Sequence, residues 1–202
     1  LKGIGTNLTC FGGIIPTEKT LSKLIDIVNK VEQTHHITLD VISGGNSSHL
    51  HLLHKDIHIE RINNLRIGEA MVLGRETAYG NIIENLYQDV FYLETDIIEY
   101  KLKPSLPDGE IGMDAFGNKP NLTDLGVIHR AILGIGRQDV DYESLVPLDN
   151  HIRLLGSSSD HVIAGIMIDA DSYKVGDVLR FGLTYGSLLS LMTSAYVEKV
   201  YV

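Results

Sequence analysis

The spacing of apolar residues changes once along this chain, and that change limits what it can fold into. In the first part, short apolar runs alternate with helical spacing. Ile4 to Leu8 reads as a strand running into a polar turn. Pro16-Thr17-Glu18 opens a helix, with Thr17 as N-cap and Glu18 in the first turn. Leu21, Leu24, Ile25, Val28 and Val31 then fall on one face, and His35-His36 ends the helix. Ile37 to Ile42 is a β-branched strand stopped by Ser43-Gly44-Gly45-Asn46-Ser47-Ser48. His49 to His54 begins a second helix. Ile62 to Gly68 reads as a third strand with a glycine turn, and Glu69 to Leu73 as a short helix.

From Phe91 the period is that of strands. Phe91 to Leu102 is one long strand, followed by turn signals at Pro104 and Pro107-Asp108-Gly109. Further strands are expected at Arg130 to Gly136, His151 to Leu155, His161 to Ile168, Val178 to Leu183 and Tyr196 to Val202, with a turn at Val175-Gly176-Asp177. This is the pattern of an antiparallel β domain. The boundary is expected near residue 89.

Strand–helix units that end in a separate β domain predict an α/β plus β fold. Residues 1–88 would be the C-terminal part of a TIM (β/α)8 barrel, its last three strand–helix units. Residues 89–202 would be an antiparallel β domain. The chain opens on Leu1, already close to a strand, so it is expected to enter part-way through the barrel. Barrel enzymes spread their catalytic residues over several strand ends, so part of the site would lie outside these residues. Three barrel strands without closing neighbours expose two edges and an apolar face. Residues 1–88 are therefore expected to be covered by the rest of the barrel, a second copy or a rearranged packing.

The formal charge of −9, with no cluster of Lys or Arg, argues against nucleic acid as a partner. One cysteine, Cys10, rules out an internal disulfide and fits a reducing cytoplasm. No apolar run approaches a membrane span, and no signal peptide is visible.

The loop from Ser43 to Ser48 lies between a strand and a helix. Its glycines let the backbone approach a ligand, the helix end offers free N–H groups, and Ser47 and Ser48 add hydroxyls. That suits a phosphate, although a glycine turn capped by serines has the same pattern. Leu65-Arg66-Ile67-Gly68-Glu69 recurs at the next strand end. The last two strands of a barrel are its usual phosphate corner.

Seven stretches carry a resemblance to a known family. They are GIGTNLTCFGG (Gly3 to Gly13), ISGGNSSHL (Ile42 to Leu50), INNLRIGEAMVLGRETAYG (Ile62 to Gly80), GEIGMDAFG (Gly109 to Gly117), AILGIGRQDVD (Ala131 to Asp141), LGSSSDH (Leu155 to His161) and YGSLLSLMTSAYVEK (Tyr185 to Lys199). Through them the chain resembles the pyridoxal-phosphate-dependent alanine racemase family, and in particular its ornithine racemase group. The resemblance implies a barrel followed by a β domain, a head-to-tail homodimer with the β domain at substrate entry and dimer contact, and pyridoxal 5'-phosphate as cofactor. It implies that Ser47 binds the cofactor phosphate with the N–H groups of Gly68 and Glu69. It places Arg66 opposite the pyridine nitrogen, with Asn7 where relatives use a histidine to support that arginine. Tyr196 matches a C-terminal tyrosine that touches the phosphate. A guanidinium donates a hydrogen bond but does not give up its proton, which limits side reactions such as transamination.

The resemblance also marks two departures. The family's cofactor-linking lysine lies on the first barrel strand, and none of the lysines here sits in a matching motif. Racemization needs a proton-transfer group on each face of Cα. Where typical members supply a tyrosine from the β domain, this chain has Arg137, a poor base because its pKa lies above about 12. Asp139, Asp160 and His161 stand nearby as candidates for the second base or for binding substrate, and histidine titrates nearest neutrality. Asp160-His161 also reads as a structural turn pair.

Asp114, Asp139, Asp141 and Asp160 suit the terminal ammonium of ornithine or lysine, and they equally suit turns. His49, His51, His54 and His58 match no zinc spacing and read as a solvated helix face, so no metal is expected. Cys10 reads as a small residue near a strand end. Besides a racemase of ornithine or another basic amino acid, two readings stay open: a non-catalytic pyridoxal-phosphate-binding protein, and a dimerization fragment.

Overall fold

The computed structural model describes residues 1–114, 116–120, 122–167 and 172–202. It divides into two units, Leu1–Val90 and Phe91–Val202.

In the first unit, β1 (Gly3–Gly5) and β2 (Val41–Ser43) pair in parallel. Parallel neighbours need a crossover. Helix α1 (Glu18–His35) supplies it. Its start is a reciprocal cap: Thr20 N–H donates to Thr17 Oγ1 at 3.1 Å, and Thr17 N–H to Thr20 Oγ1 at 2.7 Å. Leu24 and Val28 on its inner face join Leu39 and Ile42 in a core flanked by Ile4, Ile25, Val31 and Ile62. Then come a 3-10 turn (Ser47–His49), α2 (Leu50–Leu53) and α3 (Glu69–Leu73).

The strands of this unit are shorter than their sequences suggest, for local reasons. His36 adopts a left-handed cap at φ +52°, and Leu39 N–H donates to Glu32 Oε1 at 2.8 Å. Residues 37 to 40 thus fold back on α1, and the strand expected from Ile37 starts only at Val41. The strand expected from Ile4 to Leu8 ends at Gly5. The strand expected from Ile62 to Gly68 is reduced to one parallel bridge, Ser43 to Asn64. The side chain of Asn63 takes its place on the ladder: Oδ1 accepts from Ile42 N–H at 2.9 Å and Nδ2 donates to Asp40 O at 2.8 Å.

The second unit holds β3 (Tyr92–Pro104), β4 (Val127–Leu133), β5 (Leu145–Pro147), β6 (Ile152–Ser157), β7 (Val162–Ile166) and β8 (Val178–Leu183). They form one six-stranded antiparallel sheet in the order β5-β8-β3-β4-β7-β6. Along β3, Leu93, Thr95 and Ile97 are buried and their neighbours exposed, the alternation of a strand with one covered face. Of the strand expected at His161 to Ile168, Val162–Ile166 is observed, and Ile168 lies outside the described residues.

Residues Tyr185–Thr193 form a helix, α4. It is closed at its start by Thr184 N–H donating to Ser187 Oγ at 2.8 Å, and Ser187 Oγ donates on to Ser144 O at 3.0 Å. One part of this unit differs from expectation: Tyr196 to Val202 is not a strand. Tyr196 N–H donates instead to Ser194 Oγ at 3.1 Å, and Lys199 Nζ donates to the carbonyls of Ser194 and Val197.

Candidate active site

The ends of β1 and β2 and the segment beside them bring three chain stretches together. Arg66 Nη1 donates to Ser43 Oγ at 2.7 Å, and Nη2 to Thr6 O at 2.8 Å. Its backbone N–H donates to Gly45 O at 2.8 Å. Gly5 faces this guanidinium. A Cβ there would stand 2.8 Å from the Ser43 Cβ and 3.3 Å from Arg66 Nη1. Asn7 is exposed, and its Oδ1 accepts from Asn46 Nδ2 at 3.3 Å, so Arg66 is held by Ser43 and Thr6.

Ser47 is buried at the start of the 3-10 turn. Its Oγ accepts from Ala70 N–H at 3.2 Å and from Gly68 N–H at 3.5 Å. Two backbone N–H groups thus converge on a hydroxyl that keeps its own proton to donate, which suits an anion. Nothing lies within 4 Å of where a Gly68 Cβ would stand, so this approach is open. The Glu69 side chain is partly buried, and burial pushes its carboxyl up against the opposing pull of Arg75. Asn46 fixes the loop: its Oδ1 accepts from Ser48 N–H at 3.0 Å and Ser48 Oγ at 2.7 Å.

The four histidines do not share a solvated face. His49 and His51 are buried, with Nδ1 atoms 3.1 Å from Gly44 O and 2.7 Å from Ser48 O, while His54 and His58 are exposed. Burial pushes the His49 imidazole down. Gly44 makes room for it, because a Cβ there would come within 2.7 Å of the His49 ring. Among the described residues no group of three or more His, Cys, Asp or Glu side chains is placed to hold a metal ion. Cys10 is exposed, 3.4 Å from Asn46 Nδ2.

In the second unit the turn after β4 packs edge-on against the β6–β7 turn. Arg137 N–H donates to Ser158 O at 2.9 Å and Gln138 N–H to Ser159 O at 3.0 Å. Only glycine permits this approach at 136, since a Cβ would lie 2.3 Å from Ser159 O. The Arg137 guanidinium sits 4.6 Å from the centre of the Phe116 ring and 3.8 Å from Asp141 Oδ1. Asp160 and His161 are exposed in the β6–β7 turn, where Ser158 N–H donates to His161 O at 2.8 Å. The turn that carries Arg137 and the turn that carries Asp160 and His161 are thus joined through their backbones at the ends of β4, β6 and β7.

Asp139 is apart from them, buried, with Oδ1 accepting from Ser194 Oγ at 2.6 Å. Asp114 accepts from the N–H groups of Asn118 and Phe116 at 2.8 and 2.9 Å, and these bonds, that of Asn118 foremost, hold its carboxyl below its ordinary value. Asp141 caps the 3-10 turn Tyr142–Ser144. Both shape turns. The Tyr196 side chain is exposed. The sequence did not point to Ser43, Ala70, Phe116 or Ser194, whose partners are distant along the chain. The only hint was Ser43 opening the glycine loop.

A barrel-type parallel unit followed by an antiparallel β domain is the fold of the alanine racemases. An alanine racemase from Bartonella henselae with covalently bound pyridoxal phosphate matches 96% of this chain with 51% of its own, at a TM-score of 0.58 and 15% identity. One from Acinetobacter baumannii matches 94% of this chain with 51% of its own, at a TM-score of 0.55 and 13% identity. These likenesses concern the fold alone. In sequence, the chain is 52% identical over 199 residues to the ornithine racemase of Acetoanaerobium sticklandii, covering 98% of this chain and 56% of that protein. It is 46% identical over 201 residues to the lysine racemase of Thermotoga maritima, covering 100% of this chain and 56% of that protein. No family model matches. The chain belongs to the alanine racemase family. It spans about half the length of the curated relatives it matches, in their C-terminal portion.

Proposed function

We propose that the protein containing this chain is a pyridoxal-phosphate-dependent amino-acid racemase that interconverts the L and D forms of ornithine or another basic amino acid. The observation that carries this reading is the 52% identity, along 98% of the chain, to a protein named ornithine racemase. The 46% identity to a lysine racemase supports a basic substrate. A head-to-tail homodimer in the cytoplasm belongs to the same reading. Among the described residues no helix is long and apolar enough to cross a membrane.

In this reading Ser47 and the N–H groups of Gly68 and Glu69 hold the cofactor phosphate. Arg66 faces the pyridine nitrogen. The Ser47 hydroxyl, which accepts from Gly68 and Ala70 N–H, keeps its own proton to donate and so suits a phosphate oxygen, and a clamped guanidinium suits a ring acceptor. When bound, the cofactor draws electron density from Cα and so acidifies its hydrogen. The Arg66 guanidinium donates hydrogen bonds and has no lone pair with which to accept one. Ser43 and Thr6 fix its plane.

The second proton-transfer group is assigned to the joined turns that carry Arg137 and Asp160-His161. Arg137 is a cation and suits the substrate carboxylate. His161 offers an imidazole that can take or deliver a proton at Cα. Asp114 and Asp141 lie within the field of the Arg137 charge, and either offers a carboxylate to a side-chain ammonium.

The test uses the whole protein with added pyridoxal phosphate. A visible absorbance band of bound cofactor, with loss of optical rotation for L-ornithine or L-lysine but not L-alanine, is the expected result. A band with no racemization of any of the three would favour a non-catalytic cofactor-binding protein. No band would sink the reading.

A further inference from the structure

Asp139 sits in the same turn as Arg137, two residues on, yet its environment is different. It is 6% exposed, whereas Asp160 and His161 are open to solvent. The turn is closed by Asp139 N–H and Val140 N–H, which donate to Gly136 O at 3.0 and 3.1 Å. That closure turns the carboxylate inward. There Oδ1 accepts the hydroxyl proton of Ser194 at 2.6 Å, across 55 residues of sequence.

Ser194 is the junction of the C-terminal strap. Its N–H caps α4 by donating to Ser190 O at 2.9 Å. Its Oγ accepts from Tyr196 N–H at 3.1 Å, and its carbonyl accepts from Lys199 Nζ, which also donates to Val197 O at 2.7 Å. With its proton committed to Asp139, the Ser194 hydroxyl presents its lone pairs to Tyr196 N–H. The carboxylate thereby sets the hydroxyl rotor, and the rotor sets the first bend of the strap. Without that acceptor the rotor is free, and Tyr196 N–H meets lone pair and hydrogen in turn.

We propose that Asp139 is a positioning residue, which fastens the strap Ser194–Lys199 to the turn that carries Arg137. Its carboxylate is not the proton carrier at Cα. The assignment rests on the racemase reading for what the strap and turn do, but the bond itself does not. The Asp139 carboxylate is buried, with Oδ1 turned to the strap, whereas Asp160 and His161 are open to solvent.

The experiment compares Asp139→Ala, Asp139→Asn and Ser194→Ala in the whole protein. Amide hydrogen exchange reads the strap, and initial racemization rates across pH read the reaction. Asp139→Ala and Ser194→Ala are each expected to speed exchange at Tyr196 by about tenfold or more, the loss of one buried hydrogen bond. Asn keeps an oxygen acceptor, so Asp139→Asn should restore most of that protection. It should also restore most of the rate lost in Asp139→Ala, and keep both limbs of the pH profile. The double variant Asp139→Ala/Ser194→Ala should be no worse than Ser194→Ala alone, because Ser194→Ala already removes the Asp139 bond.

If Asp139→Asn is as inactive as Asp139→Ala and loses a limb of the pH profile, Asp139 is the proton carrier and the proposal is overturned. Unchanged exchange at Tyr196 in Asp139→Ala also overturns it. A wild-type protein that racemizes nothing would defeat the racemase reading, and the exchange comparison would still decide the role of Asp139.

Discussion

Arg66 Nη1 lies 2.7 Å from Ser43 Oγ, so the strand-end serine before the glycine loop clamps a guanidinium from the next segment. The second clamp, Thr6 O at 2.8 Å, comes from beyond β1. Three successive strand-end stretches thus fix one cation. Ser43→Ala removes one clamp and leaves the charge. In the whole protein, racemization of the basic substrate is expected to fall about tenfold, with KM little changed. Polarimetric initial rates check this.

Ser47 ties the glycine loop to α3 through Gly68 and Ala70. Ser47→Ala strands both N–H groups and should cost about 1–3 kcal/mol of stability. It should also weaken cofactor retention, read as faster loss of the visible band on dialysis. A variant that unfolds as late in urea as wild type and keeps its cofactor would contradict both expectations.

Glu76 is a fully buried carboxylate that accepts from the N–H groups of Ala78, Tyr79 and Asn81 at 2.6, 3.2 and 3.0 Å. Burial pushes its carboxyl up, but those three bonds, that of Asn81 foremost, and the nearby His51 outweigh it and leave the pKa lowered from 4.5. The folded value is therefore below the unfolded one. Its stabilisation is present above the unfolded value and is lost as pH falls through the folded one. Glu76→Gln is expected to cost about 1–3 kcal/mol near neutral pH and less in acid. Urea unfolding at both conditions measures the difference.

Tyr173 donates its hydroxyl to Asp149 at 2.5 Å. Burial, and then this bond, push the phenol up from 10.0 to about 12. A raised value means that the stabilisation is whole below the unfolded pKa and is lost as pH rises from 10.0 through about 12. Asp149→Asn should bring Tyr173 back toward 10.0, so one tyrosine in an alkaline ultraviolet titration moves to lower pH. If no tyrosine moves, the bond is not formed in solution.

Local chemistry made much of the fold legible. Thr17 before an apolar face with three- and four-residue spacing marks α1, and Val178 to Leu183 is a strand with the bounds its pattern suggests. The misreadings have physical causes as well. Tyr196 to Val202 carries strand-forming residues, but Ser194 Oγ takes the Tyr196 N–H and Lys199 takes the Val197 carbonyl. Asn63 spoils the third strand by offering its side-chain amide where a backbone ladder was expected.

By itself the sequence determined the order of elements, the switch from helical to strand periodicity and the loops where glycine is required, because each depends on neighbours a few residues away. Tertiary structure decided the partners. Arg66 meets Ser43 and Thr6 across 23 and 60 residues, and Asp139 meets Ser194 across 55. His49 is buried against Gly44 and His51 is buried with its ring edge-on to Tyr79, and their spacing carries no sign of it. Such contacts depend on strand register and on which face of a turn packs inward. A hydrogen bond requires its partner within about 3 Å, and only the packed chain brings these atoms that close.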